Sequence, residues 1–286
     1  MPETTLAAIV RSAAERLAAA GVPEPLVDAE LLTAHVQKIG RGELQAAIVR
    51  GDGMGEDEAQ ALDALVSRRS VREPLQHLTG TAPFRHRELA VGPGVFVPRP
   101  ETETVAQFAI DALLNDASGE PIGVDLCTGS GAIAVAMATE VPHARVFAVE
   151  LSDDAYPWAE RNTREIENLT LVHGDLADTL HEIDGTASVV ISNPPYVPDA
   201  AVPRDPEVRL FDPAMALYGG VDGLDVVRAL SVRGLQLLRP GGLLVIEHGE
   251  LQGEAIRTLL ADDGWRAPST HRDLTQRDRS TTALRP

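Results

Sequence analysis

The stretch Val124-Asp125-Leu126-Cys127-Thr128-Gly129-Ser130-Gly131-Ala132 decides the fold of this chain of 286 residues. It passes from an apolar run typical of a buried strand, through two glycines, into a small-residue segment typical of a helix. Gly129 and Gly131 permit a tight turn and let a ligand approach the backbone closely. The helix that follows directs its N-terminal N–H groups toward that ligand. The stretch therefore predicts a strand, a binding turn and a helix in succession.

Short apolar runs alternate with helical patterns on both sides of this stretch. Strands are predicted at residues 122–126, 145–149, 169–173, 188–191 and 243–247. Helices are predicted at residues 102–114, 132–138, 153–167, 224–238 and 254–263. Such alternation is typical of an α/β fold with a mostly parallel sheet that helices cover on both faces. Ligands of these sheets bind at the carboxyl ends of the strands.

The residues before this α/β domain predict two further parts. Residues 1–72 carry apolar residues at helical spacing without a β-rich run, so we predict a small helical bundle there. This bundle either only stabilises the chain or docks a macromolecular substrate. Residues 73–100 are rich in proline and predict a linker with a β-hairpin, its strands at 89–91 and 95–97. Residues 101–286 make up the α/β domain.

The composition places the chain among globular proteins and excludes several classes. Apolar residues make up 44% and charged residues 24%, which suits a packed core. No apolar run reaches the roughly 18 residues of a membrane span, and no basic segment precedes the apolar N-terminal residues, so we expect neither a membrane nor a secreted protein. The single cysteine, Cys127, agrees with a reducing cytoplasm. The net charge of −18 argues against direct binding of nucleic acid.

Acidic residues follow two more of the predicted strands. Glu150 ends the second strand, and its carboxylate can bind both hydroxyls of a ribose. Asp175 follows the third strand, and Leu176 beside it can pack on an adenine ring. Either acidic residue alone is equally well explained as a helix cap or a solvated charge. Together with the glycine turn they favour a nucleoside site, although residues 129–134 also match a loose dinucleotide fingerprint.

The fourth predicted strand runs directly into Asn193-Pro194-Pro195-Tyr196. Two prolines stiffen this loop, so the Asn193 amide oxygen and the Pro194 carbonyl can present two acceptors side by side. A planar –NH2 group offers two donors in matching geometry, and Tyr196 offers a flat surface for stacking. Holding both hydrogens while the lone pair faces an electrophile favours direct transfer to that nitrogen, without a covalent intermediate or a strong base. The alternative is a rigid structural turn.

These motifs resemble those of the release factor glutamine methyltransferase family (HemK/PrmC), class I enzymes that use S-adenosylmethionine. The resemblance extends over nearly the whole chain and includes Phe96-Val97-Pro98-Arg99-Pro100-Glu101-Thr102-Glu103. Its Pro-Arg-Pro-Glu-Thr-Glu part is much more specific than the glycine turn, which many enzymes share. The other matching segments are residues 74–80, 125–131, 193–196, 247–249, 252–254, 272–274 and 277–279.

The resemblance implies a seven-stranded catalytic domain and a helical N-terminal domain that docks the release factor. The implied reaction methylates N5 of the glutamine in the Gly-Gly-Gln motif of class I peptide chain release factors, with S-adenosylmethionine as cofactor and S-adenosylhomocysteine as product. By position, the cofactor would be held by Cys127, Thr128, Gly129, Ser130, Gly131, Glu150, Asp175, Leu176 and Asn193. The glutamine carboxamide would be held by Asn193, Pro194, Pro195 and Tyr196, of which Asn193, Pro194 and Tyr196 would serve catalysis.

Three residues depart from the family pattern. Cys127 stands where glycine is common, which is tolerated if its φ stays below zero. Leu176 replaces an aromatic residue of some members, and Asp212 replaces a glutamate. These changes break neither the glycine turn nor the loop at Asn193, so we expect an active enzyme.

Other functions remain open at this point. An adenine-N6 methyltransferase acting on DNA or RNA would use the same proline loop, with the base flipped out of its stack. A nicotinamide oxidoreductase leaves that loop unexplained, and a non-catalytic binding protein leaves both motifs unexplained. Arg99, Glu101 and Glu103 either shape the substrate mouth or form a salt-bridged linker. His77 and His248 are expected to be structural, and no His or Cys cluster predicts a metal site.

Overall fold

The predicted α/β domain is built on one sheet with helices on both of its faces. The computed structural model describes residues 5–286. Its strands are β1 (Thr81–Phe84), β2 (Arg87–Ala90), β3 (Ile122–Leu126), β4 (Arg145–Glu150), β5 (Leu169–His173), β6 (Ala187–Ser192), β7 (Leu238–Glu247), β8 (Arg266–Arg272) and β9 (Asp278–Leu284). Its helices are α1 (Leu6–Ala19), α2 (Pro25–Gln37), α3 (Arg41–Arg50), α4 (Glu56–Ser70), α5 (Leu75–Thr79), α6 (Pro100–Leu114), α7 (Ala132–Glu140), α8 (Tyr156–Thr163), α9 (Pro206–Phe211), α10 (Ala214–Leu217), α11 (Asp225–Leu237) and α12 (Gly253–Asp262).

The main sheet has seven strands in the order β5, β4, β3, β6, β7, β9, β8. The first five strands are parallel, and β9 is antiparallel to both β7 and β8. The α/β fold class and the mostly parallel seven-stranded sheet are therefore confirmed. The strand order reverses at β3, which lies between β4 and β6, and such a switch point opens a crevice at the carboxyl ends of the strands.

Apolar layers cover both faces of this sheet. On one face α6 and α7 bury side chains such as Ile110 and Met137 against β3, β4 and β6. On the other face α11 and α12 bury Leu230 and Ile256, with Trp265 beside them. Each fully buried leucine or isoleucine contributes roughly 1.5–3 kcal/mol. Burial on both faces explains the continuous apolar runs of the parallel strands and fixes the positions of their ends.

The sequence did not predict strands at β8 and β9. The buried residues of β9 include Ser280, Thr281 and Thr282, so the strand lacks the apolar run that marks β3 to β6. Their hydroxyls find partners inside the sheet: the Thr281 hydroxyl bonds to Nε2 of His248, and the Thr282 hydroxyl to Nε2 of His271. A polar strand satisfied by such bonds gives no hydrophobic periodicity.

The predicted hairpin with strands at 89–91 and 95–97 is wrong. Residues 89–90 do belong to a hairpin strand, β2, but its partner is β1 and the turn lies at Arg85-His86. Val91, Val95 and Val97 instead pack in a buried cluster with Trp158 of α8. A Cβ on Gly92 would lie 2.5 Å from the Trp158 ring, so this glycine allows the close approach. Arg85 takes a φ of 51° without the glycine or asparagine that normally signals such a turn.

Most other predicted elements agree with the structure within a few residues. The predictions for β3 and β5 have the observed bounds. The helix predicted over 153–167 is shorter, because Pro157 near its start favours the first turn of a helix and disfavours helix before it.

Contacts divide the described chain into two compact units. The first comprises the residues up to Thr81 together with Pro203–Phe211, and the second comprises Ala82–Val202 with Asp212–Pro286. Helices α1 to α5 of the first unit pack around a small apolar core. Its segment Pro203–Phe211 is held by an ion pair of 2.7 Å between Glu207 and the buried Arg69, which also pairs with Asp28 at 2.7 Å.

Candidate active site

The glycine turn after β3 is built from positive backbone φ angles. Gly129 and Gly131 have φ of 59° and 85°, and Gly131 precedes the first turn of α7. Asp125, which is fully buried, holds the turn closed: its Oδ2 accepts hydrogen bonds from the Thr128 hydroxyl at 2.5 Å and the Ala134 N–H at 3.1 Å. Burial raises the pKa of Asp125 to about 7 despite these bonds, and the charge of Glu150 adds to the rise.

Glu150 lies at the end of β4 and contacts the same turn. Its Oε2 accepts the Gly129 N–H at 2.7 Å, and its Oε1 accepts the Ser152 N–H at 2.7 Å. Burial raises the pKa of Glu150, and the backbone hydrogen bonds oppose that rise. Each carboxylate oxygen accepts one bond from the backbone and keeps lone pairs for a second donor. The structure thus brings together the turn and the first acidic strand end.

Asp175 and Leu176 follow β5 at the same edge of the sheet. Asp175 is exposed, and its Oδ1 accepts the Ala177 N–H at 2.9 Å, which is a turn-stabilising contact. Leu176 is 8% exposed and packs with the apolar residues at the ends of β3 and β4. Asp175 therefore serves a local turn in this structure, while Leu176 continues the apolar core toward the carboxyl ends of the strands.

Cys127 differs from the expectation. Its φ is 63°, in the left-handed region. Cysteine was expected to be tolerated here with a φ below zero, and the structure does not meet that condition. A non-glycine residue in this region costs roughly 1–2 kcal/mol, which explains why glycine is common at this position. Burial, with the charge of Glu150, raises the pKa of the Cys127 thiol to about 12. A protonated thiol agrees with a packing role and not with a nucleophile.

The loop Asn193–Tyr196 begins directly beside the glycine turn. β3 and β6 are parallel neighbours with Leu126 opposite Ser192, and the Ser192 hydroxyl donates to the Leu126 carbonyl at 2.5 Å. The next residues along both strands are Cys127 and Asn193, so the turn and the loop leave the sheet side by side. Among residues 5–286 the hydrogen bonds include none to the Asn193 Oδ1 or the Pro194 carbonyl.

Contacts from a distant segment hold this loop in place. The Val197 N–H donates to the Leu217 carbonyl at 2.7 Å, and the Gln252 Nε2 donates to the Tyr196 carbonyl at 2.9 Å. Two glycines pack against the loop backbone: a Cβ on Gly219 would lie 2.4 Å from the Pro195 carbonyl oxygen, and one on Gly223 2.3 Å from that of Tyr196. Only glycine fits at such distances, so the loop is rigid.

Two residues that the sequence did not single out as site residues also lie at the loop. Glu247 ends β7 with 1% of its surface exposed, and Thr102 lies in the first turn of α6. The Asn193 Nδ2 lies 3.5 Å from the Thr102 hydroxyl. Burial raises the pKa of Glu247 to about 7, and hydrogen bonding from these two side chains lowers it in part. Burial, with the charge of Glu247, raises the pKa of the nearby Tyr196 phenol to about 12. The Glu-His-Gly motif at 247–249 was the available signal for Glu247.

The Pro-Arg-Pro-Glu-Thr-Glu element makes structural contacts. Arg99 Nη2 pairs with the buried Asp212 Oδ2 at 2.7 Å, and its guanidinium carbon lies 4.9 Å from the centre of the Phe96 ring. Glu103 Oε1 accepts the Arg85 N–H at 3.1 Å. These contacts favour the interpretation that Arg99 and Glu103 stabilise the linker, over the alternative that they line the entrance to the substrate site.

The two singled-out histidines are both buried. The ring nitrogens of His248 bond to the Gly249 carbonyl and the Thr281 hydroxyl, each at 2.8 Å, and burial lowers its pKa. Over residues 5–286, no helix has the length and apolar character to cross a membrane. Within the same range, His, Cys, Asp and Glu side chains form no group of three or more that could hold a metal ion.

Comparisons with known proteins match both the helical and the α/β regions. Two family models match: the PrmC N-terminal domain over residues 8–80 and the methyltransferase small domain over residues 87–218. The release factor glutamine methyltransferase of Streptomyces coelicolor is 48% identical over 97% of each chain. The 4-amino-L-phenylalanine/4-methylamino-L-phenylalanine methyltransferase of Streptomyces pristinaespiralis is 37% identical over 91% of this chain and 88% of that protein.

Among solved structures, a protein-(glutamine-N5) methyltransferase (release factor-specific) from Alicyclobacillus acidocaldarius is 27% identical. The match covers 68% of this chain and 98% of that one, with a TM-score of 0.41. The family resemblance first seen in the motifs is thus matched by identity over nearly the full length, and this chain belongs to the release factor glutamine methyltransferase family.

Proposed function

We propose that this methyltransferase transfers the methyl group of S-adenosylmethionine to N5 of the glutamine in the Gly-Gly-Gln motif of peptide chain release factors. The observation that carries the proposal is the position of the Asn193 loop, which leaves β6 beside the glycine turn of β3. A turn with open backbone at Gly129 and an acceptor-rich loop therefore lie next to each other at one edge of the sheet. The substrate is a translation factor, so the proposal places the reaction in the cytoplasm.

The glycine turn and Glu150 fit the cofactor. Nothing lies within 4 Å of the position that a Cβ on Gly129 would occupy, so the backbone there is open to a ligand. Both oxygens of the Glu150 carboxylate keep acceptor capacity for the ribose hydroxyls. We assign cofactor binding to residues 127–131, Glu150, Asp175, Leu176 and Asn193. When bound, S-adenosylmethionine supplies an electrophilic methyl group on a positively charged sulfur.

The Asn193 loop fits a carboxamide nitrogen. Asn193 Oδ1 and the Pro194 carbonyl would each accept one N–H of the substrate amide, and the Tyr196 ring would stack on its plane. The nitrogen lone pair is then held toward the methyl donor while the nitrogen becomes tetrahedral. Because the loop is rigid before the substrate arrives, little reorganisation is needed during transfer. The nitrogen releases its proton after the methyl group has been transferred.

Two other acceptors suit the same loop. An adenine amine is planar and has two N–H donors, but the net charge of −18 disfavours binding to DNA or RNA. An arylamine also fits, and one relative at 37% identity is named for such a substrate. Relatives named for release factor methylation reach higher identity over more of the chain, which favours the protein substrate.

A competition between acceptors tests the proposal. The protein is incubated with labelled S-adenosylmethionine and, in separate reactions, a release factor, an adenine-containing oligonucleotide and 4-amino-L-phenylalanine. We expect label on the release factor, and mass spectrometry should locate one added methyl group on the Gly-Gly-Gln glutamine. Label on the oligonucleotide or the arylamine, with none on the factor, would contradict the proposal.

Residues 1–72 are proposed to dock the body of the release factor. A short Gly-Gly-Gln peptide carries the reacting group but lacks that body. Because docking contributes binding without changing the chemical step, the peptide should show a higher KM than the intact factor and a similar kcat. Equal KM values would mean that these residues only stabilise the chain.

A further inference from the structure

Glu247 and Asn193 leave neighbouring parallel strands at the same level. β6 pairs with β7 with Ser192 opposite Ile246, so the next residues along the two strands are Asn193 and Glu247. Glu247 is 1% exposed, and its Oε2 makes no hydrogen bond among residues 5–286. A buried carboxyl with an unpaired oxygen is costly to the fold. Such a group calls for a functional explanation.

The register of β6 and β7 places Asn193 beside Glu247, and the side chains of Asn193 and Thr102 are the hydrogen-bonding groups that lower the pKa of its carboxyl. An ionised carboxylate only accepts hydrogen bonds, whereas an asparagine amide has one donating end and one accepting end. The Asn193 Nδ2 must therefore face Glu247, since the flipped amide would bring two oxygens together. The Thr102 hydroxyl, 3.5 Å from Nδ2, supports the same orientation.

We propose that Glu247 is a positioning residue, which fixes the Asn193 amide with Nδ2 inward so that Oδ1 accepts the N–H of the substrate amide. The inference rests on the proposed function, because it explains how the loop presents an acceptor to a donor. If the Asn193 amide flipped, it would present its own –NH2 to the substrate –NH2, and the binding geometry would be lost.

The charges around Glu247 set the pH at which this orientation holds. Burial raises its pKa to about 7, while hydrogen bonds from Thr102 and Asn193 and the charge of Arg279 on β9 lower it. Glu101 on α6 raises it further, and the Tyr196 phenol stays neutral, since its own pKa is raised to about 12. Below about pH 7 the protonated Glu247 can donate to Asn193 Oδ1, so it no longer enforces one orientation. Activity should fall as pH decreases through this value.

The central test compares the wild-type enzyme with Glu247→Gln on an intact release factor from about pH 5.5 to 8.5. At the upper end we expect kcat to fall by about tenfold to 10²-fold, because glutamine can present either end of its amide to Asn193. With S-adenosylmethionine saturating, so that titration of Asp125 in the cofactor turn affects kcat least, the acid limb of the wild-type kcat profile should disappear, since Glu247 is gone. Affinity for S-adenosylmethionine, measured by calorimetry, should change by less than about threefold.

Stability separates positioning from a merely structural role. The folded-state pKa of Glu247 lies above its ordinary value of 4.5, so its ionised form destabilises the fold as pH rises through that window. Neutral glutamine removes this cost, and the unfolding midpoint of Glu247→Gln at about pH 8 should not fall. A slower enzyme that is no less stable is the expected result.

Thr102 provides a second pair of variants. Thr102→Val removes the hydroxyl at nearly constant volume and should lower kcat by several-fold, while Thr102→Ser should recover most of that loss. If Glu247→Gln kept the wild-type kcat and acid limb, or if Thr102→Val matched Thr102→Ser, the inference would be overturned and the proposed function would stand. If the wild-type enzyme did not methylate the factor, the proposed function itself would fail.

Discussion

The glycine turn after β3 and the Asn193 loop after β6 lie side by side but differ in backbone conformation and in the contacts that stabilise them. The turn depends on left-handed backbone at Cys127, Gly129 and Gly131 and is held from within by Asp125. The loop has two prolines and no positive φ, and it is held from outside by the backbone around Gly219 and Gly223. In both regions a buried carboxyl with a pKa of about 7 lies behind the site: Asp125 behind the turn and Glu247 behind the loop.

This difference matches the two ligands that the enzyme is proposed to bring together. The turn presents open backbone at Gly129 and the Glu150 carboxylate, which suit the close approach and the ribose hydroxyls of a nucleoside cofactor. The loop presents two carbonyl-type oxygens, which suit the –NH2 of a carboxamide. Substitutions in the turn should therefore change cofactor binding, and substitutions in the loop should mainly change the chemical step, with a smaller effect on cofactor binding through Asn193.

The largest expected effect is in the loop. Asn193→Ala removes one of the two acceptors and should lower kcat by about 10²-fold or more, as does the loss of one oriented polar group in other sites. The dissociation constant of S-adenosylmethionine should change far less. Steady-state kinetics on the release factor, with calorimetry of cofactor binding, measures both quantities. A wild-type kcat would remove Asn193 from catalysis.

The matching change in the turn is Glu150→Gln. The glutamine side chain is neutral and keeps only one acceptor oxygen, so one ribose hydroxyl loses its hydrogen bond to a charged carboxylate. Because such bonds contribute about 1.5–3 kcal/mol, the cofactor should bind roughly tenfold to 10²-fold more weakly. At saturating cofactor, kcat should recover to near the wild-type value. A lower kcat with unchanged cofactor affinity would contradict the division between turn and loop.

A matched pair of glycines tests how the loop is held. Gly223 and Gly241 both have a φ of 76°, so alanine introduces the same backbone strain at each. A Cβ on Gly223 would meet the Tyr196 carbonyl oxygen at 2.3 Å, whereas nothing lies within 4 Å of one on Gly241. We expect Gly223→Ala to lose more stability than Gly241→Ala, because the clash adds to the shared backbone strain, and only Gly223→Ala to lose kcat, by about tenfold. Equal kcat values for the two variants would show that the loop tolerates displacement.

The smallest expected effect is in the turn, at Cys127. Cys127→Gly relieves the strain of a left-handed φ of 63° and should raise the free energy of unfolding by about 1 kcal/mol. The greater freedom of glycine in the unfolded chain offsets part of the gain. Denaturant unfolding of the two proteins measures the difference, and a destabilised variant would show that the Cys127 side chain contributes more by packing than it costs in strain.

Local sequence patterns predicted the central strands and the two segments of the site, because each of these features lies in a short contiguous stretch of the chain. The parallel strands are buried on both faces and appear as apolar runs, and the glycine turn and proline loop lie at their ends. β8 and β9 were not predicted, because the buried side of β9 is lined by Ser280, Thr281 and Thr282.

The parts of the site that could not be predicted depend on contacts between distant residues. Thr102 and Glu247 come to Asn193 only through the packing of α6 and the register of β6 and β7. The φ of Cys127 follows from the shape of the whole turn, since cysteine itself favours negative φ. The predicted position of the hairpin was wrong because residues 91–97 pack in a buried cluster with Trp158, which is distant in sequence.

The most direct test of the central claim is a crystal structure with S-adenosylhomocysteine and a Gly-Gly-Gln peptide. We expect the glutamine amide nitrogen to lie within about 3.2 Å of both Asn193 Oδ1 and the Pro194 carbonyl oxygen, with its free face toward the cofactor sulfur. If the nitrogen instead lay outside hydrogen-bonding distance of both oxygens, or if these oxygens faced away from the cofactor, the account would be contradicted.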